Sequence, residues 1–274
     1  MRSIPLTGTS LSSSRLGFGC SGLHHLLQRK MRQNLLATAF DQGIRYFDTS
    51  PYYGHELAER ELGLFAKKRR NQLIIATKFG LRPDSLMSQF PAVMYAHLGI
   101  HAVLRKVTRR KTFAVVPERD YSAAYARRSL ERSLRALSVD HVDILFLHQP
   151  ELQLLADPDD LVRILETLKA EGKVHHLGLA GNARDCVEIA RRHPALAEIM
   201  QINVANGTSE LALLAAAHLP CHASFGHFRG KPEPLPALLE DAVTANPQGV
   251  ILFSTRRLDR LREMVELLRN LEPH

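Results

Sequence analysis

The sequence predicts an α/β fold, a closed (β/α)8 TIM barrel with a long loop after the third strand. Three observations carry this reading. Short aliphatic runs alternate with amphipathic helical patterns almost from end to end. Eight such runs can be counted, the strand number of a closed barrel. The chain has 274 residues, 45% of them hydrophobic, enough for one barrel-sized core. An open, doubly wound sheet shares this rhythm, because periodicity alone does not report closure.

The polar, Ser/Thr-rich segment from Met1 to Ser14 is expected to cap the barrel bottom. The strands are then read at Arg15–Gly19, Ile44–Asp48, Leu73–Lys78, Val142–His148, Val174–Ala180, Ile199–Asn203, Cys221–Phe225 and Val250–Ser254. Between them, Leu35, Leu36, Ala39 and Phe40 precede Gly43, a natural helix terminator. Ala126, Leu130, Leu134 and Leu137 share one helical face, as do Leu161, Ile164, Leu165 and Leu168 before Gly172. Asn182 is placed to cap the helix carrying Val187 and Ile189, and Leu258, Leu261, Val265 and Leu268 mark a final helix. No Pro/Gly/Ser-rich linker divides the chain, so residues 1–274 are read as one domain. The segment Gly80–Asp120, between the third strand and its helix, is longer than a connection needs, and long loops at a barrel's C-terminal rim contact substrate.

Charge and cysteine content narrow the function classes. The formal net charge is +8, with a basic run at Arg105, Lys106, Arg109, Arg110 and Lys111 and a second group at Arg127, Arg128, Arg132 and Arg135. No aromatic residues interleave with these as a single-strand platform requires, so a nucleic-acid partner is unsupported. Three separated cysteines lack metal-ligand spacing and fit a reducing compartment. There is no apolar run of membrane-spanning length. The expectation is a cytoplasmic protein without membrane or metal, a monomer by default.

Barrel chemistry gathers at the C-terminal strand ends. Asp48 ends the second strand, Tyr53 follows it, Lys78 ends the third and His148 the fourth. A phenol is a weak acid at neutral pH unless a cation stabilises its phenolate. Lys78 supplies such a field, Asp48 holds the ammonium, and His148 can orient a carbonyl oxygen. The set suits proton donation to an oxygen gaining charge, and it leaves a hydride source to be supplied by a cofactor.

These residues resemble the aldo-keto reductase family. F47-D-T-S-P-Y-Y-G54 looks like its D-T-A-x-x-Y-G segment, E59-R-E-L-G63 its E-x-x-L-G, I75-A-T-K78 its lysine strand and L145-F-L-H148 its histidine strand. The resemblance implies Tyr53 as general acid, tuned by Lys78 and Asp48, with His148 orienting a small carbonyl substrate. It implies an NADP(H)-dependent oxidoreductase, NAD(H) being the weaker choice. Gln201 would contact the nicotinamide amide, and Asn182 would replace the usual polar group where Ala180 stands. Val204 occupies the place of a stacking aromatic, and H222-A-S-F-G-H-F-R-G230 lacks an S-P-L run. These departures motivate the alternative of a catalytically weakened barrel acting by binding. Ser254, Thr255, Arg256 and Arg260 would hold the adenosine phosphate. G17-F-G-C-S-G22 matches G-x-G-x-x-G but lacks a buried strand before it. It is read instead as the first strand's rim, with Gly19, Cys20 and Ser21 beside the nicotinamide end.

Overall fold

The structure is a computed structural model that describes residues 1–90, 92–96, 99, 117–228 and 230–272. Its first two strands, β1 (Ser3–Pro5) and β2 (Ser12–Ser14), form an antiparallel hairpin. Eight parallel strands follow: β3 (Leu16–Gly19), β4 (Tyr46–Asp48), β5 (Ile74–Phe79), β6 (Val142–His148), β7 (Val174–Gly181), β8 (Ile199–Asn203), β9 (Ala223–Phe225) and β10 (Val250–Phe253). They close in the order β10-β3-β4-β5-β6-β7-β8-β9, so the sheet is a barrel and the open-sheet alternative is excluded.

The two-residue period of a strand divides this barrel into an inside and an outside. Tyr46, Ile74, Ala76, Ile144, Phe146, Ala180, Ile199, Ala223, Val250 and Leu252 pack together as the interior. Ile4 and Leu6 of the hairpin segment join them, so the N-terminal residues plug the bottom as expected. The opposite parity, including Leu16, Phe18, Phe47, Ile75, Leu145 and Leu179, packs against the helices in a second, larger cluster. Helices occur where the apolar spacing placed them, at Arg29–Asp41, Ala123–Leu137, Pro158–Ala170, Ala183–Arg192 and Leu258–Leu271 among others.

Two expectations need correction. Arg15 precedes β3; its fully buried guanidinium donates to the backbone carbonyls of Gly249 and Val243 and to Glu272. Asn182 stands at the N-cap of its helix, but its side chain makes no capping bond. Glu210 does that work, accepting from the Ala183 backbone N–H at 2.8 Å. The loop after β5 carries a short helix at Ser85–Gln89, capped by Asp84, and a bridge between Leu81 and Arg119. The basic run at Arg105, Lys106, Arg109, Arg110 and Lys111 lies outside the described residues.

Candidate active site

On three adjacent strands the last inward position carries a chemically active side chain. On β4 the inward series Tyr46 ends at Asp48; on β5, Ile74 and Ala76 lead to Lys78; on β6, Ile144 and Phe146 lead to His148. Register then makes them neighbours, since Asp48 pairs with Ala76 and Lys78 with Phe146. Tyr53 arrives from the turn after β4, where His55, Glu56 and Gly54 adopt positive φ and reverse the chain. The close fit of Gly54 is visible in what a Cβ would meet there, the His24 side chain at 2.3 Å.

The four residues predicted from sequence do come together. Lys78 Nζ donates to Asp48 Oδ1 at 2.6 Å and to the Thr49 carbonyl at 2.9 Å, and lies 4.7 Å from the centre of the Tyr53 ring. The Tyr53 and His148 rings meet edge to face, 5.8 Å apart at 87°. Asp48, Lys78 and His148 are all buried. Burial pulls the Lys78 ammonium down, but Asp48 and Tyr53 more than offset this and the net shift is upward. Burial raises the Tyr53 phenol, Lys78 opposing, so the hydroxyl keeps its proton at neutral pH. Burial, Lys78 and Arg119 push His148 well below its ordinary value, so the imidazole is neutral. Its Nδ1 lies 3.3 Å from Ser50 Oγ, leaving the other ring nitrogen for a ligand.

Several supporting residues were not singled out from sequence. The Tyr121 hydroxyl donates to the His148 and Gln149 carbonyls at 2.7 and 2.9 Å, pinning the end of β6. Glu59 is fully buried behind β5, accepting from Thr77 Oγ1 at 2.6 Å; burial raises its carboxyl to about 7. A Cβ on Gly63 would lie 2.3 Å from the Leu137 carbonyl, so this glycine lets two helices touch. Glu59 and Gly63 both belong to the quoted E59-R-E-L-G63, a signal that marked the segment without giving either role.

The cofactor-side residues fall into two groups. Ser21 and Ser254 hydroxyls lie 3.1 Å apart, and a Cβ on Gly19 would sit 2.3 Å from Ser254 Oγ. Arg256 is exposed beside them, its stem 3.5 Å from where Gly22 would carry a Cβ. Thr255 Oγ1 accepts from the Arg257 backbone N–H at 3.1 Å, and Arg260 pairs with Glu263 at 3.1 Å. These hydroxyls and guanidinium groups are a donor set suited to an anion. The glycine-rich first strand and the last strand thus share one rim. The second group is nearer Lys78. Gln201 is buried, its Nε2 donating to Asp48 Oδ1 at 3.0 Å and its Oε1 facing the Tyr46 hydroxyl at 3.4 Å. Cys20 is fully buried, and burial beside Asp48 pushes its thiol up, so the thiol stays protonated. Asn182 is exposed at the end of β7.

Comparison with known proteins gives a consistent result. The family model described as the Aldo/keto reductase family matches residues 15–211. L-galactose dehydrogenase of Arabidopsis thaliana is 32% identical over 183 residues, 64% of this chain and 47% of that protein. D-threo-aldose 1-dehydrogenase of a Pseudomonas species is 31% identical over 203 residues, 69% of this chain and 56% of that protein. The matched segment therefore spans about half the length of these relatives. Among solved structures, an aldo-keto reductase of Pseudomonas aeruginosa superposes with a TM-score of 0.74 at 26% identity, covering 98% of this chain and 96% of that one. An aldo-keto reductase of Bacillus halodurans in its holo form shares the fold, with a TM-score of 0.73 at 20% identity over 98% of this chain and 91% of its own.

Proposed function

This chain belongs to the aldo/keto reductase family, and from that premise we propose that it is an NADP(H)-dependent oxidoreductase interconverting a carbonyl and an alcohol. The substrate class is an aldehyde, ketone or aldose, and the working compartment is the cytoplasm. The observation that carries the reading is the stack of Asp48, Lys78 and Tyr53 against a neutral His148. No other described feature calls for a buried ammonium beneath a phenol.

The donor set fits a dinucleotide phosphate. Ser21, Ser254 and Thr255 offer hydroxyls, and Arg256 and Arg260 offer the forked guanidinium that a 2′-phosphate favours over a free ribose hydroxyl. Gly19 keeps the rim between β3 and β10 clear of a Cβ. Asn182, and Gln201 once turned from Asp48, are the amide-bearing side chains for the nicotinamide end. When bound, the reduced nicotinamide supplies the hydride that the protein's own residues lack.

The residues divide the remaining work. His148, held neutral, donates a hydrogen bond to the substrate oxygen and fixes its direction without adding charge to the pocket. The Tyr53 hydroxyl delivers its proton to that oxygen as negative charge develops there. The ammonium of Lys78 stabilises the phenolate left behind, and Asp48 keeps that ammonium charged and aimed. In the oxidative direction the same groups run in reverse, with tyrosinate as base.

The test follows NADPH absorbance over a panel of aldehydes, ketones and aldoses, and NADP+ reduction over the corresponding alcohols and sugars. Turnover on at least one panel member is expected, and Tyr53→Phe should lower kcat by about 100-fold or more, the range for a lost general acid, with cofactor binding retained. Full activity in that variant would remove the assignment. NADPH binding without any turnover would instead favour the weakened, ligand-binding barrel.

A further inference from the structure

Three metal-ligating side chains meet at the end of the barrel remote from Tyr53. His141 immediately precedes β6 and Asp143 lies on it, and a separation of two places both on one side of the strand. The β6–β7 register pairs Val142 with Val174 and Ile144 with His176, which sets His175 beside Asp143. One ligand atom from each of His141, Asp143 and His175 lies within 4.8 Å of the others. The two imidazoles are stacked, 4.5 Å apart at 28°.

The carboxylate is divided between two tasks. Its Oδ2 accepts the Ile75 backbone N–H at 2.8 Å and Arg70 Nη2 at 2.9 Å, which locks the group in place. Its Oδ1 faces His175 Nδ1 at 3.8 Å, too far for a hydrogen bond. A fixed carboxylate therefore turns its other oxygen toward His175, with the His141 ring stacked alongside.

We propose that His141, Asp143 and His175 form a binding site for a divalent transition cation of the zinc class, completed by water. Two imidazoles and one carboxylate suit zinc, cobalt, nickel or copper rather than magnesium or calcium. Zinc bonds of about 2.0–2.2 Å bring ligand atoms closer than they stand here, so the side chains must draw in by roughly an ångström. His175, 46% exposed, has room to do so and leaves the outer coordination positions open to solvent. The Arg70 charge beside the same carboxylate weakens its attraction for a cation, so the expected affinity is about micromolar, below that of a closed structural site. This site departs from the sequence reading, which expects a protein without metal.

The position assigns the cation a clamping role. It would join the starts of β6 and β7, while His148 stands at the other end of β6, seven residues beyond His141 or about 23 Å at ~3.3 Å per residue. It touches none of the groups proposed for carbonyl chemistry, and the proposal stands or falls independently of that activity.

The test is calorimetric titration of chelator-stripped protein with zinc chloride. One cation per chain is expected, with His141→Ala and His175→Ala each weakening binding about tenfold or more. His25→Ala removes one ring of another close imidazole pair, 3.9 Å from His24 and tilted at 40°, and should leave the titration unchanged. Cobalt(II) added to the unmutated protein should give visible d–d bands that zinc displaces, a readout independent of how any variant folds. Absence of zinc binding and of cobalt bands at ~100 µM metal, far above a micromolar dissociation constant, overturns the proposal. Undiminished affinity in the His141→Ala/His175→Ala double variant overturns it as well.

Discussion

Gln201 Nε2 donates to the same oxygen, Asp48 Oδ1, that receives the Lys78 ammonium, at 3.0 and 2.6 Å respectively. One carboxylate oxygen thus joins β4, β5 and β8 across the barrel interior. Asp48→Asn keeps the shape and removes the charge that compensates a buried ammonium. Breaking a buried pair from one side costs about 3–5 kcal/mol, and denaturant unfolding should show a loss of that order alongside collapse of turnover. Unaltered stability would mean that Lys78 finds another counter-charge.

Arg256 stands exposed beside Ser254 on the rim shared by the first and last barrel strands. Arg256→Ala should weaken NADPH binding about tenfold, roughly 1.4 kcal/mol, and change NADH binding little. Fluorescence titration of both nucleotides against both proteins measures the difference. Equal losses for the two nucleotides would move the 2′-phosphate contact to another residue.

Glu59 gives a pH dependence whose sign can be worked out. Its carboxyl is raised to about 7 in the folded protein from an ordinary value of 4.5. Between those values the folded protein holds a proton that the unfolded chain has released, so this group's contribution to stability falls as pH rises through the interval. At about 1.4 kcal/mol per pH unit the full span is up to about 3 kcal/mol. Glu59→Gln retains an acceptor for Thr77 and has no proton to lose. Its stability relative to the unmutated protein should therefore improve from pH 5 to pH 8, as followed by urea unfolding at each pH. A flat difference would show that Glu59 stays ionised, or exposed, throughout.

Gly63 faces the Leu137 carbonyl at the contact between the Leu57–Ala66 and Ala123–Leu137 helices. A methyl group there must displace backbone, and overpacking of this kind costs about 1–3 kcal/mol. Gly63→Ala should lower Tm despite alanine's better helix propensity. A raised Tm would mean that the two helices part freely.

Much of this architecture was legible because it rests on periodicities. The inward alternation that ends at Asp48, Lys78 and His148 is written in the strands themselves, and D48-T-S-P-Y-Y-G54 carries the turn that returns Tyr53. Strand limits shifted by one or two residues where polar side chains bond across elements, as Arg15 does to Gly249. Asn182 looked like a cap because the local sequence cannot reveal Glu210 arriving from another helix. The sequence points Gln201 toward a ligand, whereas its bond to Asp48 depends on closure between strands far apart in sequence. The grouping of His141, Asp143 and His175 is illegible in the sequence for the same reason: it follows from strand register, which a linear spacing does not express.

The rim built by Gly19, Ser21, Ser254 and Arg256 lies over the seam where β10 meets β3. That seam is the last to be sewn as the chain emerges from synthesis, because β3 must wait for a partner more than two hundred residues downstream. A nucleotide bridging it would act as a clasp on the finished cylinder. Nascent chains lacking β10 would present β3 as a raw sheet edge, open to unwanted pairing. A nucleotide bound there as proposed would then favour sealed molecules over open ones.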